Sequence, residues 1–210
     1  MNIIEEKISK CERCTLHLTR NKTVPGTGNI KTDIVFVGEG PGEEEDKSGL
    51  PFVGRAGEML DKLLNENAKL QRENIFIANI VKCRPPKNRT PNEEEVLMCT
   101  PYLEAQLMLL NPKIIVALGG TALKYFTGES KITKSRGSFF KWYGNTRIFA
   151  TFHPSYLLRS DGESGPGSPI WLAQLDMSAI GFMYKALEKN IPVEEIVKKV
   201  ELTLQKAGGA

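Results

Sequence analysis

The chain lacks any apolar run approaching the roughly 20 residues needed to span a bilayer, which excludes a membrane-spanning helix. Its first residues, Met1 to Ile4 followed by Glu5 and Glu6, offer neither the basic start nor the apolar stretch of an export signal, so a cytoplasmic location is expected. Cysteine is scarce, with four in 210 residues, and in a reducing compartment these thiols are expected to be buried or metal-bound rather than paired as disulfides. No charge sign is in large excess: 28 Lys and Arg against 25 Asp and Glu leave a formal +3, which permits a nucleic-acid partner without indicating one. The Gly-rich segment 38–42 lacks the G-x-G-x-x-G spacing of a dinucleotide site, and no Lys-Ser/Thr follows it, so nucleotide chemistry of those two types is excluded.

What is present suits a single globular domain spanning residues 1–210. A chain of this length can bury about 70% of the surface exposed when unfolded, and 40% hydrophobic with 25% charged residues is a soluble balance. Four segments read as strands: 33–38, 74–81, 113–118 and 147–152. The runs Ile34-Val35-Phe36-Val37 and Ile114-Ile115-Val116-Ala117-Leu118 are continuous and apolar, as in strands buried on both faces. Between them, helical spacing covers 56–68, a helix is expected from a Thr90 N-cap through Cys99 to about Leu110, and short helical segments fall at 2–8 and 121–126. A final helix is expected over 171–189, followed by a polar tail. Alternating strands and helices predict a three-layer α/β/α fold around a four-stranded parallel sheet, with ligands at the carboxyl ends of the strands. Residues 160–169, rich in Gly, Ser and Pro, read as a flexible insertion.

Three of those strand ends carry unusual residues. The first strand leads into Gly38-Glu39-Gly40-Pro41-Gly42-Glu43-Glu44-Glu45-Asp46, the second holds Asn79, and the fourth leads into His153-Pro154-Ser155-Tyr156. Of the two histidines, His153 at a strand end points to function, whereas His17 between Leu16 and Leu18 suits a structural role. The cysteines form a Cys11-x2-Cys14 turn joined by the distant Cys83 and Cys99. Together they could complete a four-thiolate site for zinc or for an iron–sulfur cluster, and spacing alone does not choose. A pinned basic loop from Arg84 to Arg89 could then lie along a phosphate backbone.

The blocks 38–46, Gly49-Leu50-Pro51-Phe52-Val53-Gly54-Arg55-Ala56-Gly57, Asn79-Ile80-Val81-Lys82-Cys83-Arg84-Pro85-Pro86 and His153-Pro154-Ser155-Tyr156-Leu157-Leu158-Arg159 together resemble the family-4, iron–sulfur uracil-DNA glycosylases. The likeness runs from Cys11 to about Arg159. It implies hydrolytic excision of uracil from single- or double-stranded DNA by a monomer, with a structural [4Fe–4S] cluster held by Cys11, Cys14, Cys83 and Cys99. An extruded base needs an aromatic platform and a polar partner for its pairing edge, and the resemblance gives these to Phe52 and Asn79. It also places Gly40 against the flipped nucleotide, and Glu45 beside C5 of the base, where it would exclude thymine. His153 would donate to uracil O2, while Glu39 would orient water or support the sugar cation. Gly40 stands where better-known relatives carry a water-activating Asp. Ser155, Tyr156, Leu157 and Arg159 fall in the loop that wedges into the duplex and meets phosphate, with Arg84 and Arg89 in the basic loop.

A related branch bonds covalently to DNA through a histidine after the third cysteine. Here Lys87-Asn88-Arg89-Thr90 occupies that place, so turnover is expected. Two other readings stay open at this point: a non-catalytic nucleic-acid-binding or redox-sensing cluster protein, and a glycosylase of the same fold for another lesion such as hypoxanthine.

Overall fold

A computed structural model describes residues 1–160 and 165–208. Its helices are α1 (Asn2–Ser9), α2 (Glu43–Ser48), α3 (Arg55–Leu63), α4 (Glu93–Leu110), α5 (Gly119–Thr127), α6 (Ile132–Ser135), α7 (Pro154–Leu157), α8 (Pro169–Glu188) and α9 (Val193–Lys206). The strands are β1 (Thr27–Gly28), β2 (Ile34–Gly38), β3 (Phe76–Asn79), β4 (Ile114–Leu118), β5 (Phe139–Lys141) and β6 (Arg147–Thr151).

They form one sheet in the order β1-β3-β2-β4-β6-β5. The four apolar runs make its parallel interior, with Phe36 beside Ile77 and Val116, and Val116 beside Phe149. The expected four-stranded sheet is thus enlarged to six strands by β1 and β5, which run antiparallel at the two edges. These edges are short, and short edges limit pairing with other chains. Alternation along each strand divides the core. Phe36, Ile77, Val116 and Phe149 meet Leu60 of α3, Met177 and Ile180 of α8 and Val200 of α9. Val35, Val37, Ala78, Ile115 and Ile148 meet Cys99, Leu103 and Leu107 of α4 on the other face. Three layers result.

Several boundaries differ from the sequence expectations. α4 begins after Asn92 rather than Thr90: Asn92 Oδ1 accepts from Glu95 N at 2.8 Å, and the Glu95 carboxylate accepts from Asn92 N at 2.8 Å, a reciprocal capping box. The acidic run that follows Gly42 forms helix α2. The expected polar tail is largely α9, whose Ile196, Val200 and Leu204 are buried at a four-residue spacing that its many charges conceal. Of the expected insertion, 161–164 lie outside the described residues. Its last part starts α8, with Ser168 Oγ accepting from Trp171 N at 3.2 Å and Pro169 at the first helical position. Among the described residues no helix is long and apolar enough to cross a membrane.

Gly181 brings α8 onto the turn after α3: a Cβ there would lie 2.1 Å from the Ala68 carbonyl oxygen. Gly181→Ala must separate these elements, and overpacking of this kind costs about 1–3 kcal/mol. Thermal unfolding should fall by about 2–12 °C at this chain size.

Candidate active site

The carboxyl ends of the parallel strands open onto a cavity of about 550 Å³, within the usual range for small-ligand sites. Each strand contributes. Glu39 and Gly40 follow β2, Asn79 ends β3, Gly119-Gly120-Thr121 follows β4, and Phe152 and His153 follow β6; Glu45 and Phe52 join from the segment around α2.

Phe52, Asn79 and His153 come together there. The rings of Phe52 and His153 lie 5.6 Å apart between centroids, inclined by 35°. A Cβ on Gly38 would fall 2.5 Å from Asn79 Oδ1 and 2.7 Å from Phe52 Cζ, so amide and ring close over the same piece of backbone, which only glycine permits. Asn79 is 1% exposed, and its Oδ1 is buried without a hydrogen-bond partner. An unpaired buried acceptor costs about 1–3 kcal/mol, which a ligand N–H would offset. Phe52 adopts φ +53°, a left-handed conformation costing a side-chain-bearing residue about 1–2 kcal/mol.

His153 Nδ1 accepts the Ser155 backbone N–H at 3.2 Å and lies 2.8 Å from Ser155 Oγ. With Nδ1 an acceptor, the neutral ring carries its proton on Nε2. Burial, reinforced by the Arg159 charge and opposed by Glu45, pushes the His153 pKa down to about 4. The ring is therefore a neutral donor at physiological pH. Glu39 accepts a hydrogen bond from Thr121 Oγ1, which fixes its carboxylate at the cavity. Thr121 and the glycines before it had drawn no role from sequence; their only signal was a Gly-Gly-Thr run ending an apolar strand.

Glu45 is not a solvated member of an acidic run. It is 8% exposed, and its carboxylate accepts from the backbone N–H groups of Val53 and Gly54 at 2.9 Å each and of Gly42 at 3.0 Å. It thereby builds the wall carrying Phe52.

The residues expected at DNA separate into groups. Ser155, Tyr156 and Arg159 line the cavity with Arg89, and Tyr156 is 37% exposed. Leu157 is 2% exposed in the core, so a wedging role for it would require leaving that packing; the structure gives it a structural place. Arg89 makes a two-pronged pair with Glu95 at 2.6 and 2.8 Å. Arg84 lies outside the cavity, bonded to Asn88 Oδ1 at 2.7 Å and Glu43 at 3.3 Å.

Cys11, Cys14, Cys83 and Cys99 line a second, small cavity. Arg20 donates to Cys83 Sγ at 3.3 Å and to the Cys11 carbonyl at 2.6 Å, while Lys82 N donates to Cys99 Sγ at 3.2 Å. Burial pushes the Cys99 thiol up to about 11 and raises Cys83, with Lys82 and Arg20 respectively opposing. Lys82 also reaches the upper site, its Nζ donating to the Asn79 carbonyl at 2.8 Å. His17 donates from Nδ1 to the Cys14 carbonyl at 2.7 Å. Among the described residues no three His, Cys, Asp or Glu side chains stand close enough to hold a metal ion.

The uracil DNA glycosylase superfamily model matches residues 25–171. A type-4 uracil-DNA glycosylase of Thermotoga maritima is 55% identical over 162 residues, covering 76% of this chain and 84% of its own. One of Saccharolobus solfataricus is 45% identical over 166 residues, 75% of this chain and 77% of its own. Another, of Sulfurisphaera tokodaii, is 46% identical over 163 residues, 74% of each. Every strand of the sheet lies inside the matched span, as do Phe52, Asn79 and His153, and the chain belongs to the uracil DNA glycosylase superfamily, in its type-4 branch.

Proposed function

We propose that the chain hydrolyses the bond between uracil and deoxyribose in DNA, with Phe52 stacking on the extruded base and Asn79 reading its edge. The observation that carries this reading is the buried, unpartnered Oδ1 of Asn79 beside the Phe52 ring. Oδ1 accepts from uracil N3–H and Nδ2 donates to O4, whereas cytosine presents the reverse pattern. Groups left unpaired supply the penalty against cytosine.

When the glycosidic bond breaks, its electron pair leaves with uracil and C1′ of the sugar becomes cationic; water then adds at C1′ and loses a proton. Nε2–H of neutral His153 donates to O2, where the negative charge collects. Glu39, oriented by Thr121, stabilises the sugar cation or positions the water. Glu45 and the backbone it holds close the pocket against the thymine methyl. Tyr156 enters the gap left by the base, as apolar wedges do, and Arg159 meets phosphate, with Arg84 and Arg89 along the backbone. The enzyme is read as a cytoplasmic monomer.

The cysteine site is read as the seat of an iron–sulfur cluster: four thiols line one cavity, the donor set that a four-thiolate cluster requires. Cys11, Cys14, Cys83 and Cys99 would hold it, and it supplies a crosslink rather than bond-breaking chemistry. Because cluster binding is also folding energy, Cys83→Ser should lose the broad visible absorption and unfold several degrees earlier; unchanged stability without absorption would contradict the structural role.

The test is a uracil-containing oligonucleotide scored for alkali-labile abasic sites beside cytosine, thymine and hypoxanthine controls. Cleavage at uracil alone is expected. Cleavage only at hypoxanthine would move the substrate, and none at all would overturn the reading.

A further inference from the structure

We infer that Arg72, held by Asp61, is a positioning residue that fixes the stacking ring of Phe52 and so sets the affinity for the extruded base, although it does not line the cavity. The inference rests on the reading of Phe52 as the platform. Phe52 combines a bulky aromatic side chain with a left-handed backbone at φ +53°, a combination that persists only where the surroundings over-determine it. Two charged groups do so from opposite sides. On the amide side, Glu45 Oε1 takes the N–H groups of Val53 and Gly54. On the carbonyl side, the Arg72 guanidinium donates to Pro51 O at 2.9 Å and to Phe52 O.

The Arg72 fork is itself aimed. Its Nε donates to Asp61 Oδ1 at 2.7 Å and its second terminal nitrogen to Oδ2 at 3.2 Å. Asp61 lies on α3, and the same helix receives the Phe52 carbonyl against Gly57, where a Cβ would fall 1.8 Å from that oxygen. All three nitrogens of the planar guanidinium are thus used at once, in four hydrogen bonds to one carboxylate and two adjacent carbonyls. A lysine ammonium cannot reproduce this planar arrangement. Arg72 precedes β3, the strand that ends at Asn79, so one side chain ties the platform to the strand bearing the edge-reading amide.

The test is steady-state kinetics on uracil-containing DNA with Arg72→Met, Arg72→Lys, Phe52→Leu and the corresponding double variants, with thermal unfolding measured for each. Arg72→Met should raise KM about tenfold with a smaller change in kcat, the size expected for one or two lost charge-assisted hydrogen bonds. In the Phe52→Leu background the same substitution should change KM less than about twofold, since residues acting through one another are non-additive. Should Arg72→Met not fold, Arg72→Lys carries the same comparison with a smaller rise. Wild-type KM in either Arg72 variant, or an equal rise with and without Phe52, would overturn the inference while leaving the platform reading intact. Full activity of Phe52→Leu would instead remove the platform reading and the inference with it.

Discussion

Asn79→Leu should lower single-turnover excision of uracil by about 10²- to 10⁴-fold. The estimate follows from two buried groups of the base, N3–H and O4, each facing an apolar side chain at a cost of about 1–3 kcal/mol. Leucine keeps the branched outline of the amide in this 1%-exposed site, at a larger volume, and removes the orphaned acceptor, so the fold should be retained. Thermal stability close to that of the parent is the expected control. Asn79→Asp separates the two contacts: it retains an acceptor for N3–H and gives up the donor to O4. The preference for uracil over cytosine should narrow, because the amino group of cytosine then meets an acceptor. Single-turnover rates on matched oligonucleotides measure both effects, and an unchanged preference in Asn79→Asp would show that base identity is read elsewhere.

His153→Leu should reduce kcat by about 10²- to 10³-fold, the usual cost of deleting one donor to a developing negative charge. KM should move little, since the bond to O2 strengthens only as the base departs. The pH dependence carries a second signature. With the folded pKa down at about 4, the ring stays neutral well below its ordinary titration, so an acid limb due to His153 belongs near pH 4. Protonation there would turn Nδ1 from acceptor to donor and set it against the Ser155 N–H. The unfolded chain takes up this proton near pH 6.5, whereas the folded chain resists until about 4. The stability contributed by a neutral His153 is therefore complete above pH 6.5 and is lost as pH falls towards 4. Activity falling through pH 6.5 with histidine-like titration would contradict this.

Much of the scaffold was legible because its strongest signal is continuous burial. The runs at 34–37 and 114–118 have no polar face to misread, and they lie where expected as β2 and β4. The edge strands carry no such signal. Thr27–Gly28 is two residues long, and its position depends on pairing with β3, which no local pattern reveals. α9 was missed for a different reason: its buried Ile196, Val197, Val200 and Leu204 stand among lysines and glutamates. At the site, sequence named the strand-end residues, since a parallel sheet must gather them at one rim. It did not reveal what holds them. Glu45 was singled out through the resemblance alone, and only the fold shows its carboxylate occupied by three backbone N–H groups. Leu157, expected in the wedge, packs into the core from α7, a matter of helix phase that the motif does not carry.

The most direct measurement is fluorine NMR of 5-fluorouracil, as the free base, titrated onto the folded protein. If Phe52, Asn79 and His153 form one slot, the parent should give a bound resonance that weakens or vanishes in Phe52→Ala, Asn79→Leu and His153→Leu alike. A bound signal that survives unchanged in any one of the three would mean that this side chain does not face the base.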